Sequence, residues 1–305
     1  MKNYHLDLIK VTESGAIAAA NWVGRGNKES ADKDATSAMR ARLNQMSFSA
    51  EIAIGEGKKD HSFGLFQGEK IGQFQNMQVE YEIAIDPIEG TTPTAKGLAE
   101  AISVIALAQR DCFYKTENFY MDKMAVGPYV STASLMSFDL PILSNIKLLS
   151  MALSKDIQHL TICVLDRPRT KPLVEELRRI GCRIKFISDC DVTACIATCV
   201  PESGVDMYWS IGGAPEAVIA AAAMKCMKGT LKCREVLNTE TFECNSKVLE
   251  IEDLVKGDCM FSATGITDGQ LLKGVRFTTN GPVTESITMR SESGTIRRIT
   301  TQHGN

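Results

Sequence analysis

The sequence predicts a two-domain α/β protein. A chain of 305 residues, 44% hydrophobic and 23% charged, can bury a large core and sits at the length where one core begins to divide. Two early segments, 50–54 and 79–85, alternate charged and apolar residues with the period of half-buried strands, and both end in acid-containing turns. From about Leu140 onward, helix-like and strand-like patterns alternate, the mark of an α/β layer. No repeat, low-complexity tract or flexible linker separates the halves, so two closely packed αβ domains are expected, 1–145 and 146–305.

In chain order, residues 4–23 read as a helix, with Leu8, Val11, Ala16, Ala19, Ala20 and Val23 on one broad face and Gly24-Arg25-Gly26 as the break. A second helix begins near Asp34 and turns Met39, Leu43 and Met46 inward. Strands follow at 50–54, 79–85 and 102–108. The second half reads as strand 159–165, helix 171–180, strand 183–187, helix 192–200, strand 205–210 and helix 215–227. It closes with strand-like runs around 260–263, 275–279, 284–289 and 295–300.

Composition removes several function classes. A formal net charge of −3 offers nucleic acid no counterion-releasing surface, so an anionic ligand has to be met locally by metals or a few placed Lys and Arg. The N-terminal stretch is amphipathic and lacks the apolar run and cleavage site of a signal peptide, and no window approaches a membrane span, which predicts a cytoplasmic, soluble protein. Ten cysteines without a Cys-x-x-Cys pair read as reduced, mostly buried thiols; Cys195 and Cys199 share a helix face as core residues. No pair of the four histidines has metal-ligand spacing, and neither a Gly-x-Ser-x-Gly elbow nor a Walker-type loop occurs.

Carboxylates at element ends remain. Ile85-Asp86-Pro87-Ile88-Glu89-Gly90-Thr91 is an apolar strand emptying into a rigid turn, in which Asp86 and Glu89 converge on one site instead of pointing to opposite sheet faces. Gly90 lets the backbone approach a ligand, and Thr91 adds a hydroxyl and an N–H. Taken alone, the turn also fits solvated charges between a strand and a helix. Glu56 lies between two glycines after a strand, Glu216 opens an apolar helix after Gly212-Gly213-Ala214-Pro215, and Asp32 precedes the second helix. Each has a plainer role available, a dipole partner for Glu216 and a cap for Asp32. Jointly, five oxygen-ligand acids suit a hard cation such as Mg²⁺ or Mn²⁺, whose chemistry suits phosphate ester hydrolysis.

At these residues the chain resembles the lithium-sensitive, metal-dependent sugar and inositol phosphatases, whose Asp-Pro-Ile-Asp-Gly-Thr signature is similar to 86–91 with Glu in place of the second Asp. Within them it resembles the bacterial class II fructose-1,6-bisphosphatases over almost its whole length. The matching blocks are Val11-Thr12-Glu13-Ser14, Gly24-Arg25-Gly26-Asn27-Lys28, Tyr120-Met121-Asp122-Lys123, 211–216, 261–267 and 295–299. The resemblance implies a layered α-β-α-β-α sandwich of the sugar phosphatase type. It implies Mn²⁺- or Mg²⁺-dependent hydrolysis of the 1-phosphate of fructose 1,6-bisphosphate in gluconeogenesis, by a cytoplasmic homo-oligomer, dimer or tetramer.

By the same resemblance, Asp32, Glu56, Asp86, Glu89 and Glu216 fall on the metal ligands, Thr91 on the group that orients the attacking water and Asp60 on its partner in activating it, with Lys28 as a nearby charge in the catalytic group. Gly90, Thr91, Tyr120, Arg167, Arg169, Asp189, Asp191 and Gly213 fall on the substrate contacts. The chain departs from the family at Lys58, where an acid is usual, at Cys190, where Gly is usual, at Thr92-Pro93, at 61–63, and in a shortened segment between the Glu216 helix and Phe261. Sedoheptulose 1,7-bisphosphate is the rival substrate. A catalytically weakened, sugar-phosphate-binding regulatory protein is the rival of another class.

Overall fold

The structure, a computed structural model, describes residues 2–57 and 63–304. Helix α1 (His5–Ala20) is followed by α2 (Lys28–Leu43), whose N-cap Asn27 accepts from the Ser30 N–H at 3.0 Å. This cap corrects the expectation that the second helix starts near Asp34. Asp32 therefore lies inside the helix and does not cap it. The early turns of α2 pack through alanines, Ala31 and Ala35 meeting Ala16 and Ala19 of α1, a face too weakly apolar to register in a sequence pattern.

Next come β1 (Ala50–Ile54), β2 (Lys70–Ile71), β3 (Tyr81–Glu89), α3 (Thr91–Lys96) and β4 (Ile102–Gln109). The chain continues through β5 (Tyr120–Val126), α4 (Ile142–Leu153), β6 (Thr161–Leu165), α5 (Lys171–Ile180), β7 (Arg183–Ile187), α6 (Asp191–Ala197), β8 (Met207–Gly213), α7 (Ala214–Met227), β9 (Thr230–Glu235) and β10 (Leu249–Glu250). It ends with α8 (Ile251–Leu254), β11 (Cys259–Gly265), β12 (Arg276–Thr278), β13 (Gly281–Arg290) and β14 (Thr295–Gln302).

These elements form an α/β protein of two units, each with one mixed sheet. The first unit, Met1–Lys115 with Glu252–Asn305, holds the order β12-β13-β11-β4-β3-β1-β2, with β14 on β13. Among the described residues of this unit, only β1 and β3 run parallel. The second, Thr116–Ile251, holds β10-β9-β5-β8-β6-β7, with parallel pairing of β6 to β7 and β8. The division expected at 145/146 differs because pairing, not sequence order, groups the strands. Strand β5 pairs with β8 and β9, and β11 pairs with β4. The second unit is thus an insertion in the first.

The first core packs Leu8 and Val11 of α1 and Met39 and Leu43 of α2 with Ile52, Ile83, Ile105 and Leu107 of the sheet. The second packs Ile146 and Leu149 of α4 and Val174 and Leu177 of α5 with Ile162, Val164, Met207 and Trp209. Helix α7 is apolar on nearly every side, as a buried helix must be. Cys195 and Cys199 are buried, free thiols, and burial pushes Cys199 up to about 11. No helix among the described residues is long and apolar enough to cross a membrane.

Candidate metal and phosphate site

In the first unit, β3 is buried nearly throughout and runs on through Pro87 to Glu89, so the acidic segment is a strand end and not a separate turn. Opposite β4, Asp86 pairs with Val104 and Glu89 with Ile102, so two residues of β3 face one of β4. That bulge decides the chemistry. Residues three apart on a regular strand point to opposite faces, whereas Val104 and Ile102, two apart, share one. Directly paired residues lie on the same side, so the inserted residue brings Asp86 and Glu89 to a common face. Pro87, which has no N–H to give a ladder, sits in the bulge where none is needed. Carboxylate oxygens of Asp86 and Glu89 come within 4.8 Å of each other, and Asp86 Oδ1 also accepts from the Ile88 N–H at 2.9 Å.

Beyond the pair the backbone turns sharply at Gly90, whose φ of 105° favours glycine, and enters α3. Thr91 Oγ1 donates to the Ile88 carbonyl at 3.3 Å, and Lys28 Nζ donates to Thr92 Oγ1 at 2.6 Å, which places the Lys28 ammonium one residue from Thr91. Asp32 is half-buried on α2, and burial raises its pKa. Glu56 lies in the turn after β1, its N–H donating to the Leu65 carbonyl at 3.0 Å. Asp60 and Lys58 lie outside the described residues.

In the second unit, a buried ionic cluster forms where β5, β8, α6 and α7 meet. Lys123 is wholly buried; its Nζ pairs with Asp191 and donates to the Gly213 carbonyl at 2.7 Å. Burial pulls the Lys123 pKa down, but the carboxylates of Asp191 and Glu216 outweigh it and hold the ammonium above its ordinary value. Tyr208 donates its hydroxyl to Asp191 Oδ2 at 3.3 Å. Asp191 follows Cys190, whose φ of 71° is left-handed, the conformation that explains why relatives are expected to carry Gly there. Glu216 sits in the first turn of α7, where the helix dipole favours an anion. Burial raises its pKa, Asp191 adds to the rise, and Lys123 opposes it.

Glycines make room for this cluster. A Cβ at Gly212 would collide with the Asp191 carboxylate and press on Lys123, and one at Gly213 would collide with the Glu216 carboxylate. Glu216 Oε2 is buried without a hydrogen-bond partner among the described residues, an orphaned acceptor that a cation relieves. Donors made wholly of carboxylate oxygen fit Mg²⁺ or Mn²⁺ and not a soft ion.

The remaining residues assigned to substrate flank the cluster. Tyr120 begins β5 opposite Gly213, and the Arg169 guanidinium lies over its ring at 4.6 Å from the centroid. Arg169 Nε donates to the Ile211 carbonyl at 2.8 Å, which fixes the plane of the fork. Arg167 Nη2 donates to Asp189 Oδ1 at 2.8 Å, both side chains partly exposed. The structure therefore joins Tyr120, Arg169, Asp191, Gly213 and Glu216 in one neighbourhood and couples Arg167 to Asp189. Asp191 faces inward as the counterion of Lys123, a placement that its position between a strand and a helix did not reveal. Lys123 and Tyr208, the buried partners of Asp191, were not singled out from sequence. The available signal was a charged pair, Asp122 and Lys123, between the apolar residues Met121 and Met124–Val126.

The model of the family described as bacterial fructose-1,6-bisphosphatase, glpX-encoded, matches residues 2–303. The chain is 38% identical to a protein of Escherichia coli (strain K12) named fructose-1,6-bisphosphatase 1 class 2, over 98% of this chain and 94% of that protein. Identity and coverage are the same for proteins named fructose-1,6-bisphosphatase class 2 in Escherichia coli O6:H1 and Shigella flexneri.

Proposed function

The chain belongs to the family of bacterial, glpX-encoded fructose-1,6-bisphosphatases, and from that premise we propose that it hydrolyses the 1-phosphate of fructose 1,6-bisphosphate to fructose 6-phosphate and inorganic phosphate. The observation that carries the proposal is the β3 bulge, which turns Asp86 and Glu89 to one face as a pair of oxygen ligands. Asp86, Glu89, Asp32, Glu56 and Glu216 would hold Mn²⁺ or Mg²⁺. Such a cation supplies Lewis-acid activation of water and neutralisation of the phosphate charge.

The protein's own groups do the rest of the positioning. Thr91 and Lys28, with Asp60, are assigned to the attacking water; the Thr91 hydroxyl is held by Ile88 and can reorient toward it. Arg169 presents its Nη groups, which have no hydrogen bond among the described residues, in a plane fixed by Tyr120 and Ile211, a fork suited to the phosphate that is not cleaved. Arg167 contributes a second cation, and Asp189, Tyr120, Gly90 and Gly213 are assigned to the sugar. Asp191 supports them from behind through Lys123. A cytoplasmic homo-oligomer, dimer or tetramer, completes the reading.

The test is phosphate release from fructose 1,6-bisphosphate, sedoheptulose 1,7-bisphosphate and fructose 6-phosphate with Mg²⁺, Mn²⁺ or chelator. Fructose 1,6-bisphosphate should turn over fastest, and only with metal. Turnover indifferent to chelator, or a preference for either other sugar, would overturn the proposal.

A further inference from the structure

Glu69, which belongs to none of the assigned groups, is a buried carboxylate with both oxygens committed. Oε1 accepts from Arg40 Nε of α2 at 2.5 Å, and Oε2 accepts from the Leu65 N–H at 2.5 Å. The carbonyl of Leu65 in turn accepts the Glu56 N–H at 3.0 Å. Leu65 has a φ of 56°, a left-handed conformation that costs a branched residue energy and persists only where its surroundings fix it. Its fixed surroundings are evident: the side chain is fully buried, the N–H is held by Glu69, and the carbonyl approaches Gly55 so closely that a Cβ there would collide with it. Two further bonds lock the segment to β1, Ile52 N–H to the Glu69 carbonyl at 2.9 Å and Gly68 N–H to the Ile52 carbonyl at 2.8 Å.

Stability alone accounts poorly for this arrangement. Half of the Arg40 side chain is exposed, and such ion pairs contribute little to folding. Geometry accounts for it better. Helix α2 carries both Asp32 and Arg40, and the chain of contacts from Arg40 through Glu69 and Leu65 ends on the backbone of Glu56. We infer that Glu69, anchored by Arg40, is a positioning residue that sets the Glu56 turn against the Asp32 helix and so fixes the spacing of two metal-binding carboxylates. The inference rests on the metal reading above.

It is tested by titrating Mn²⁺ into the full-length protein, with free Mn²⁺ read from its electron paramagnetic resonance signal and the Tm of the metal-free protein measured alongside. Glu69→Ala should weaken Mn²⁺ binding by about 10-fold or more, the scale on which removing outer-shell support acts. Glu69→Gln keeps an acceptor for the Leu65 N–H and should restore most of the affinity. Arg40→Met should fall between them. Glu176→Ala, which removes the surface pair with Arg179, should bind as wild type does.

If Glu69→Ala fails to fold, Arg40→Met and Glu69→Gln decide the matter by the same ranking. Affinity within about 2-fold of wild type in Arg40→Met, and in Glu69→Ala where it folds, whatever their Tm, is below the outer-shell scale and overturns the inference alone. Wild-type protein that binds no Mn²⁺, or that binds it as well after Asp86→Asn, overturns the metal reading and this inference with it.

Discussion

Replacing Lys123 by Met tests the buried ionic cluster directly. The substitution keeps the length of the side chain and removes the buried cation that pairs with Asp191 and faces Glu216, leaving Asp191 with the Tyr208 hydroxyl at 3.3 Å. Breaking a buried pair from one side leaves an uncompensated charge and costs about 3–5 kcal/mol. In urea that loss moves the unfolding midpoint by on the order of 1 M or more. The chain has two tryptophans, and Trp209, in β8 beside the cluster, stacks edge-on to Phe138 at 6.2 Å. In a Trp22→Phe background its fluorescence therefore follows the second unit. Adding Asp191→Asn to Lys123→Met removes one stranded anion and should recover part of the loss. A single variant that loses less than about 1 kcal/mol, or a double variant no more stable than the single, would refute the assignment of Lys123 as the counterion.

Arg169→Ala should raise KM for fructose 1,6-bisphosphate by about 10- to 150-fold, the equivalent of about 1.5–3 kcal/mol, and change KM for a monophosphate ester little; Arg169→Lys should rescue poorly because it loses the fork and the Tyr120 stack. Asp86→Asn and Glu89→Gln should each abolish metal-dependent turnover while the metal-free protein keeps or gains thermal stability, as a like charge leaves the pair. His5 gives a pH signature: burial, with Arg297 and Arg290 of β14 and β13, lowers its pKa against the pull of Asp7, so protonation is harder folded than unfolded. Stability should fall as the pH drops below about 6.5, and His5→Gln should flatten that slope by at most about 1.4 kcal/mol per pH unit in denaturant titrations.

Much of this architecture was legible where local signals are strong. Helix α5 falls at Lys171–Ile180 as read, with apolar residues at helical spacing and Gly181 behind it, and β7 falls at Arg183–Ile187. Asp86 and Glu89 were legible as a converging pair, but the device was not. Pro87 suggested a turn, whereas register opposite Ile102 and Val104 produces a bulge, and register is a property of two strands. The start of α2 was hidden because its inward residues there are alanines among charges. Strand β5 went unread because Asp122 and Lys123 interrupt its apolar run, and both are satisfied only by partners distant in sequence, Arg234 and Asp191. The grouping of β11–β14 with β4 had no local signature, since a nested unit needs no linker of unusual composition.

That nesting bears on the order in which the molecule is made. Chains commonly acquire structure from the N-terminus as they leave the ribosome. Here the first sheet lacks β11 to β14 until the last part of the chain emerges, and β4 has no neighbour on one edge until then. The whole of Thr116–Ile251 is synthesised in between. The inserted unit is therefore complete first, and the N-terminal segment waits with the buried strand β4 exposed at one edge. Early folding of the insertion draws its ends into a compact body and shortens the effective loop that β4 and β11 must close, a distance that otherwise weighs on the rate. Late completion of the first sheet follows from where the chain leaves and rejoins it.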